Sequence, residues 1–318
     1  MTINVMTDPR YIRNLLPEVP EEVRDTFAGT GAALPPALEG CTVVVAGCGT
    51  GREAYLAAKL VGETGRVIGI DACAESLAVA RKYADAVANL EFREGRIDDA
   101  AAAGIEAESA DVVIANCGLF TGECPRPLFE GIWNTLKMGG ELYFTEVFAN
   151  RRVEDAVKQN DAVRAAGLSR AVYQEDFRRM MAKVGWIDFR YMDSVRVPLE
   201  ADVAAVVGET EYAVRTIRAF KLPEFIEDIC EQYGQWATYE GGIPGMCQYF
   251  DLDDHHRFFL DVPMSVCGNS CCYVENTRYG KFFHIEGDRT HHVGPFSGCG
   301  KAPEPRDPAP VTAVAKCA

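Results

Sequence analysis

The chain has 318 residues, 48% of them hydrophobic, and a formal net charge of −15. That length allows two domains, or one large α/β domain with an appendage. The acidic balance argues against nucleic acid or an anionic membrane as partner. No stretch of about 20 uninterrupted apolar residues predicts a membrane span, and the first residues lack the order of a signal peptide, so a cytoplasmic location is expected.

Residues 1–40 read as a helical lead-in, with Pro20 near the first turn of a helix and a glycine- and proline-marked loop after it. Thr42 to Val45 is a β-branched run suited to a buried strand. Gly47, Gly49 and Gly51 follow at alternate positions, then a helix carrying Tyr55, Ala58, Leu60 and Val61 on its apolar side. A second apolar run, Val67 to Ile70, closes on Asp71. This is one βαβ unit. The glycines allow a tight turn and the close approach of a ligand to the helix N-terminus. A carboxylate ending the second strand can take both hydroxyls of a ribose. Position 52 is Arg, where a dinucleotide fingerprint needs glycine, so the spacing suits S-adenosylmethionine better than NAD.

The alternation continues. A helix carries Leu77, Ala80, Tyr83 and Ala84. Strands are expected at Leu90–Gly95, Asp111–Cys117 and Glu141–Thr145, with a helix from Pro127 to Lys137 stopped by Gly139 and Gly140. Residues 151–185 read as mostly helical. Trp186–Tyr191 and Ser194–Pro198 are expected as an appended antiparallel strand pair. Such alternation predicts a parallel, doubly wound sheet with its ligand at the carboxyl ends of the strands. Past residue 199 the composition changes. All five histidines (His255, His256, His284, His291 and His292) lie there, with six of the twelve cysteines. A smaller α+β domain is expected over 199–300, and a proline-rich, disordered tail over 301–318.

Four passages resemble the arsenite S-adenosylmethionine methyltransferases: G-C-G-T-G-R-E-A-Y at 47–55, V-A-R-K-Y at 79–83, N-C at 116–117, and L-K-M-G-G-E-L-Y-F-T-E-V-F at 136–148. F-K-L-P at 220–223 and Y-E-G-G-I at 239–243 are similar to that family's C-terminal domain. The resemblance implies a Rossmann-like, seven-stranded methyltransferase sheet over 41–198. It also implies S-adenosylmethionine as cofactor, a metalloid or other small-molecule acceptor, and a thiol reductant such as glutathione or thioredoxin as partner. Gly47, Gly49 and Gly51 would cradle the methionine end, with Arg52 nearby. Asp71 would hold the ribose, Ile97 and Asp98 would frame the adenine, and Asn116 would lie near the transferring methyl as the catalytic position. Cys117 would belong to the pocket wall.

This chain departs from the family at its four arsenic-binding thiols. Their counterparts are Gly29-Thr30-Gly31, Ala54, Gly167 and Thr210, and Val45 replaces the aspartate that closes the first strand. As(III) is soft and wants about three thiolates. Cys267, Cys271 and Cys272 lie within six positions, and Cys299 follows. A soft-ion site moved into the C-terminal domain, a structural zinc or iron site, and plain core packing are three readings of that group. No histidine lies in the Rossmann-like half. That is compatible with a soft nucleophile, which needs no general base. Methyl transfer to a small organic thiol, and a metalloid-binding protein with a vestigial cofactor site, are the alternatives to arsenite methylation. Glu146, just past the fifth expected strand, is a further carboxylate near the pocket, or simply a solvated one.

Overall fold

The computed structural model describes residues 6, 9–120, 125–297 and 304–308. Two short helices, α1 (Arg10–Leu15) and α2 (Glu21–Asp25, with Pro20 as its N-cap), lead to β1 (Thr42–Ala46). The chain then alternates through α3 (Arg52–Val61), β2 (Arg66–Asp71), α4 (Ala74–Arg81), β3 (Leu90–Glu94), β4 (Ala110–Asn116), α5 (Arg126–Thr135) and β5 (Leu136–Ala149). β1 to β5 are parallel and lie in the order β3-β2-β1-β4-β5. Val43, Val44 and Val45 are buried on both faces of β1, as their branching favours. One face packs on α3 and α4 through Tyr55, Leu56 and Leu77. The other packs on α5 and, later in the chain, α8 (Gln174–Val184) through Phe129, Phe144 and Phe177. Between them lie α6 (Asp155–Lys158), α7 (Asp161–Ala165) and β6 (Val172–Tyr173), the last pairing with the end of β5.

Three sequence expectations change here. The helix ends at Thr135, not Lys137, and the fifth strand already begins at Leu136. Its glycine pair is held open by backbone bonds from the Gly139 N–H to Lys221 and from the Lys221 N–H to Gly140, both 2.9 Å. The strands expected at 186–191 and 194–198 are one strand, β7 (Arg190–Arg196). After α9 (Ala201–Val207), its antiparallel partner is β8 (Tyr212–Phe220), which inserts between β5 and β7 and completes the order β3-β2-β1-β4-β5-β8-β7. The sheet therefore runs past the boundary drawn at residue 198. Arg215 and Arg218 disguise β8 in the sequence, yet all nine of its residues are buried.

The remaining chain builds small sheets from β9 (Glu231–Gln232), β10 (Trp236–Tyr239), β11 (Tyr249–Asp251), β12 (Arg257–Phe259), β13 (Met264–Ser265), β14 (Phe283–Glu286) and β15 (Gly294–Pro295), with α10 (Gly268–Glu275) packed among them. Tyr239, Phe250, Phe258, Tyr273 and Phe283 form their core. Of the tail, 301–303 and 309–318 lie outside the described residues. The described piece, 304–308, is fastened rather than disordered. Arg306 donates its backbone N–H to the Ser194 carbonyl, accepts from the Arg196 N–H, and pairs with Asp193 at 2.7 Å.

A buried charge cluster joins these parts. Glu141 of β5 and Arg218 of β8 are fully buried and 2.6 Å apart. Arg218 also donates to the carbonyls of Asp251 and Leu252. The Tyr279 hydroxyl donates to Glu141 at 3.0 Å, and Arg278 pairs with the same carboxylate. Arg278 donates as well to the carbonyls of Pro36 and Ala37 in the lead-in. Glu141→Ala leaves two buried guanidinium groups without their counter-charge. A loss of about 3–5 kcal/mol is expected in urea unfolding; a loss below about 1 kcal/mol would refute the role given to this cluster.

Candidate active site

The carboxyl ends of β1, β2 and β4 open onto a cavity of about 320 Å³. Its floor is the glycine turn. Gly47 sits at φ +65°, and a Cβ there would meet the Gly118 backbone at 3.4 Å. Gly49, at φ +53°, would point its Cβ at nothing within 4 Å, so a side chain there would occupy the space left for a ligand. Asp71 fastens this turn. One carboxylate oxygen accepts from the Gly49 N–H and the other from the Cys73 N–H, each at 2.8 Å. Each oxygen keeps a second lone pair, the capacity a pair of ribose hydroxyls requires.

The other expected residues divide by position. Ile97, Asn116 and Cys117 line the cavity, as do Gly47, Gly49 and Asp71. Gly51, Arg52 and Asp98 are not in its wall. A Cβ on Gly51 would come within 2.8 Å of the Phe92 ring, so that glycine seats α3 against β3. Arg52 lies 3.7 Å from the Phe27 ring centroid and donates to the Gly31 carbonyl at 2.5 Å, holding the lead-in loop. Asp98 is engaged by Arg96, whose Nε and Nη2 each lie 3.0 Å from it.

Asn116 serves as a clamp. Its amide oxygen accepts from the Thr30 N–H at 2.8 Å, and its Nδ2 donates to the carbonyls of Thr30 and Gly31 and to Glu53 at 3.0 Å. Gly29 must lack a side chain, because a Cβ would fall 2.5 Å from that amide oxygen. The clamp brings Phe27, Ala28 and Gly29 into the cavity wall. Nothing in the sequence of that loop announces this. Cys117 has φ +57°, and its sulfur lies 3.8 Å from the Thr30 hydroxyl. Burial, then the nearby Glu146 charge, push its thiol pKa well up. Burial does the same for Cys48, also in the wall.

Glu146 is a buried residue of β5, not a solvated carboxylate. It accepts from the Leu119 N–H at 2.6 Å and the Phe120 N–H at 3.2 Å, fixing the turn that carries Cys117. Burial raises its pKa to about 7.

The C-terminal thiols are not brought together. Cys267 caps α10, accepting from the Ser270 N–H at 3.3 Å; Cys271 accepts from the Gln235 amide at 3.1 Å; Cys272 faces the Phe225 carbonyl at 3.7 Å. All three are buried, and burial pushes the Cys271 thiol up to about 12. Cys271 and Cys272 are successive helical positions and point in different directions, and the three sulfurs are not among the described groups whose ligand atoms lie close enough together to hold an ion. Cys299 lies outside the described residues. Among the described residues, the group able to converge on a metal is Asp253, His255 and His256.

Two expectations follow. Asp71→Ala frees the glycine turn and removes the carboxylate expected to accept from the ribose, so S-adenosylmethionine affinity by calorimetry should fall at least tenfold; equal affinity would overturn that expectation. Glu146 binds its proton more tightly folded than unfolded, so its contribution is full below about pH 4.5 and is lost as pH rises through about 7. Glu146→Gln should flatten the fall in unfolding free energy between pH 5 and 8, which for this group amounts to about 3 kcal/mol.

Comparison with known proteins agrees with this geometry. A methyltransferase domain family matches residues 37–185. The chain is 35% identical to an arsenite methyltransferase of Aquipseudomonas alcaligenes, over 97% of this chain and 91% of that protein. It is 31% identical to the arsenite methyltransferase of Mus musculus, over 86% and 74%. The crystal structure of an arsenic(III) S-adenosylmethionine methyltransferase from Chlamydomonas reinhardtii superimposes with a TM-score of 0.87 at 38% identity, covering 91% of this chain and 99% of that one. The chain belongs to the arsenite methyltransferase family and is an S-adenosylmethionine-dependent methyltransferase.

Proposed function

We propose that this enzyme methylates As(III), and that As(III) reaches the pocket already carrying small thiols. The observation behind this is the count of soft ligands at the cavity. Among the described residues its wall holds two cysteines, Cys48 and Cys117, while Thr30, Ala54, Gly167 and Thr210 stand where the family resemblance puts thiols. One or two protein thiols leave As(III) short of the three it favours. Thiols in solution supply the rest, which fits a reducing, cytoplasmic setting and a glutathione- or thioredoxin-type partner. No described helix is long and apolar enough to cross a membrane.

The cradle fits the cofactor: Gly49 leaves room for it, and Asp71 retains acceptor capacity. When bound, S-adenosylmethionine supplies an electrophilic methyl group on a sulfonium. The chain's residues then have to align and exclude. Asp71 and the glycine turn seat the nucleoside. Asn116 draws Gly29 and Thr30 against the strand tip, and Phe27 narrows the access of water. Cys117 holds the acceptor at the tip of β4, facing Thr30 across 3.8 Å. No histidine lines the described cavity, and a lone pair on arsenic needs no base.

The test is incubation of the protein with As(III), S-adenosylmethionine and increasing glutathione, with separation of arsenic species by chromatography and mass spectrometry. Methylated arsenic that rises with thiol, and falls at least tenfold in Cys117→Ser, is the expected result. No methylated arsenic at any thiol concentration sinks the proposal. A methyl thioether in its place would support the small-organic-thiol reading, which draws on the same shortage of protein thiols.

A further inference from the structure

Among the described residues, the active-site cavity has two carboxylates in its wall, Asp71 and Glu53. Asp71 is committed to the glycine turn and stands where a ribose is expected. Glu53 has no such assignment. It lies in the first turn of α3, a position where negative charge is favoured, and is only 3% exposed. Its Oε1 accepts from the Asn116 Nδ2 at 3.0 Å and lies 3.4 Å from the Arg52 Nη2. The Arg52 guanidinium stays outside the wall, against the Phe27 ring and the Gly31 carbonyl. Val45, where the family resemblance puts a carboxylate, is buried among apolar residues and is also outside the wall. The first strand therefore offers the cavity no negative charge, and α3 does.

The sheet order sets the two carboxylates apart. β1 lies between β2 and β4. Asp71 ends β2, and Asn116, which bonds Glu53, ends β4. Two strand spacings separate these tips, about 10 Å. The glycine turn lies between them, and all of these residues line one cavity. S-adenosylmethionine carries its nucleoside at one end and an ammonium and a carboxylate at the other. With the nucleoside at Asp71, the amino-acid end crosses the glycine turn toward Asn116 and Glu53.

We propose that Glu53 receives the α-ammonium group of S-adenosylmethionine, and that Asn116 positions its carboxylate to do so. The proposal rests on the seating of the nucleoside by Asp71 put forward above. It gives Asn116 a second duty besides holding the lead-in loop, because one amide orients both the loop and the acidic side chain.

The experiment titrates the full chain, without arsenic or thiol carrier, with S-adenosylhomocysteine and with its desamino analogue, in which hydrogen replaces the ammonium. The wild type should bind S-adenosylhomocysteine about tenfold more tightly, as one charge-assisted hydrogen bond allows. In Glu53→Gln, which keeps an oxygen for Asn116, the two affinities should converge through loss on S-adenosylhomocysteine alone. Glu53→Asp keeps the charge and should keep a preference for the ammonium. Equal weakening of both ligands in Glu53→Gln overturns the proposal, since that is the result of a purely structural role. A preference that survives in Glu53→Gln, or is absent from the wild type, overturns it as well. Asp71→Ala separates the two readings. If it leaves both affinities unchanged while the Glu53-dependent preference persists, the seating of the nucleoside falls and the ammonium site stands.

Discussion

A single carboxylate, Glu141, holds two guanidinium groups and a phenol in the interior of this protein. Taking such charges out of water costs several kcal/mol per ion. Four backbone carbonyls (Asp251, Leu252, Pro36 and Ala37) and the ring faces of Tyr143, Phe250 and Tyr279 offset that cost. The partners come from the lead-in, the sheet and the small C-terminal sheets, so the cluster fixes how all three meet. Its consequence reaches the pocket. The segment between Phe27 and Ala37 is anchored at one end by Asn116 on Thr30 and at the other by Arg278 on Pro36 and Ala37. A wall of the cavity that has almost no regular structure of its own is thereby held at both ends.

The glycine turn divides its work in a way that spacing alone conceals. Gly49 keeps a side chain out of the ligand space, whereas Gly51 keeps one off Phe92. Gly29, far away in sequence, keeps one off the Asn116 amide. Asp71, in the cavity wall, holds the Gly49 N–H with one oxygen and the Cys73 N–H with the other. One side chain thereby fixes the backbone conformation of the turn.

The first five strands and the cradle were legible because each strand is a continuous apolar run bounded by turn residues, the pattern of a sheet covered on both faces. β8 was hidden by Arg215 and Arg218, which read as surface charges and are buried instead. Charge suggests exposure only until a partner such as Glu141 arrives from 77 residues away. Asn116 lines the cavity, but its bonds to the lead-in loop depend on a tertiary contact that no local pattern encodes. The close spacing of Cys267, Cys271 and Cys272 left their role open for the converse reason. Each buried sulfur has its own polar contact, which spacing does not encode.

The high pKa of Cys117 gives the pocket a selectivity that a reactive thiol would lack. A thiolate is the nucleophilic form of cysteine, and a methyl donor held in the same cavity would alkylate it. Burial and the Glu146 charge keep this sulfur protonated, and so protect it. Burial is the larger of the two causes, and the Glu146 charge adds to it.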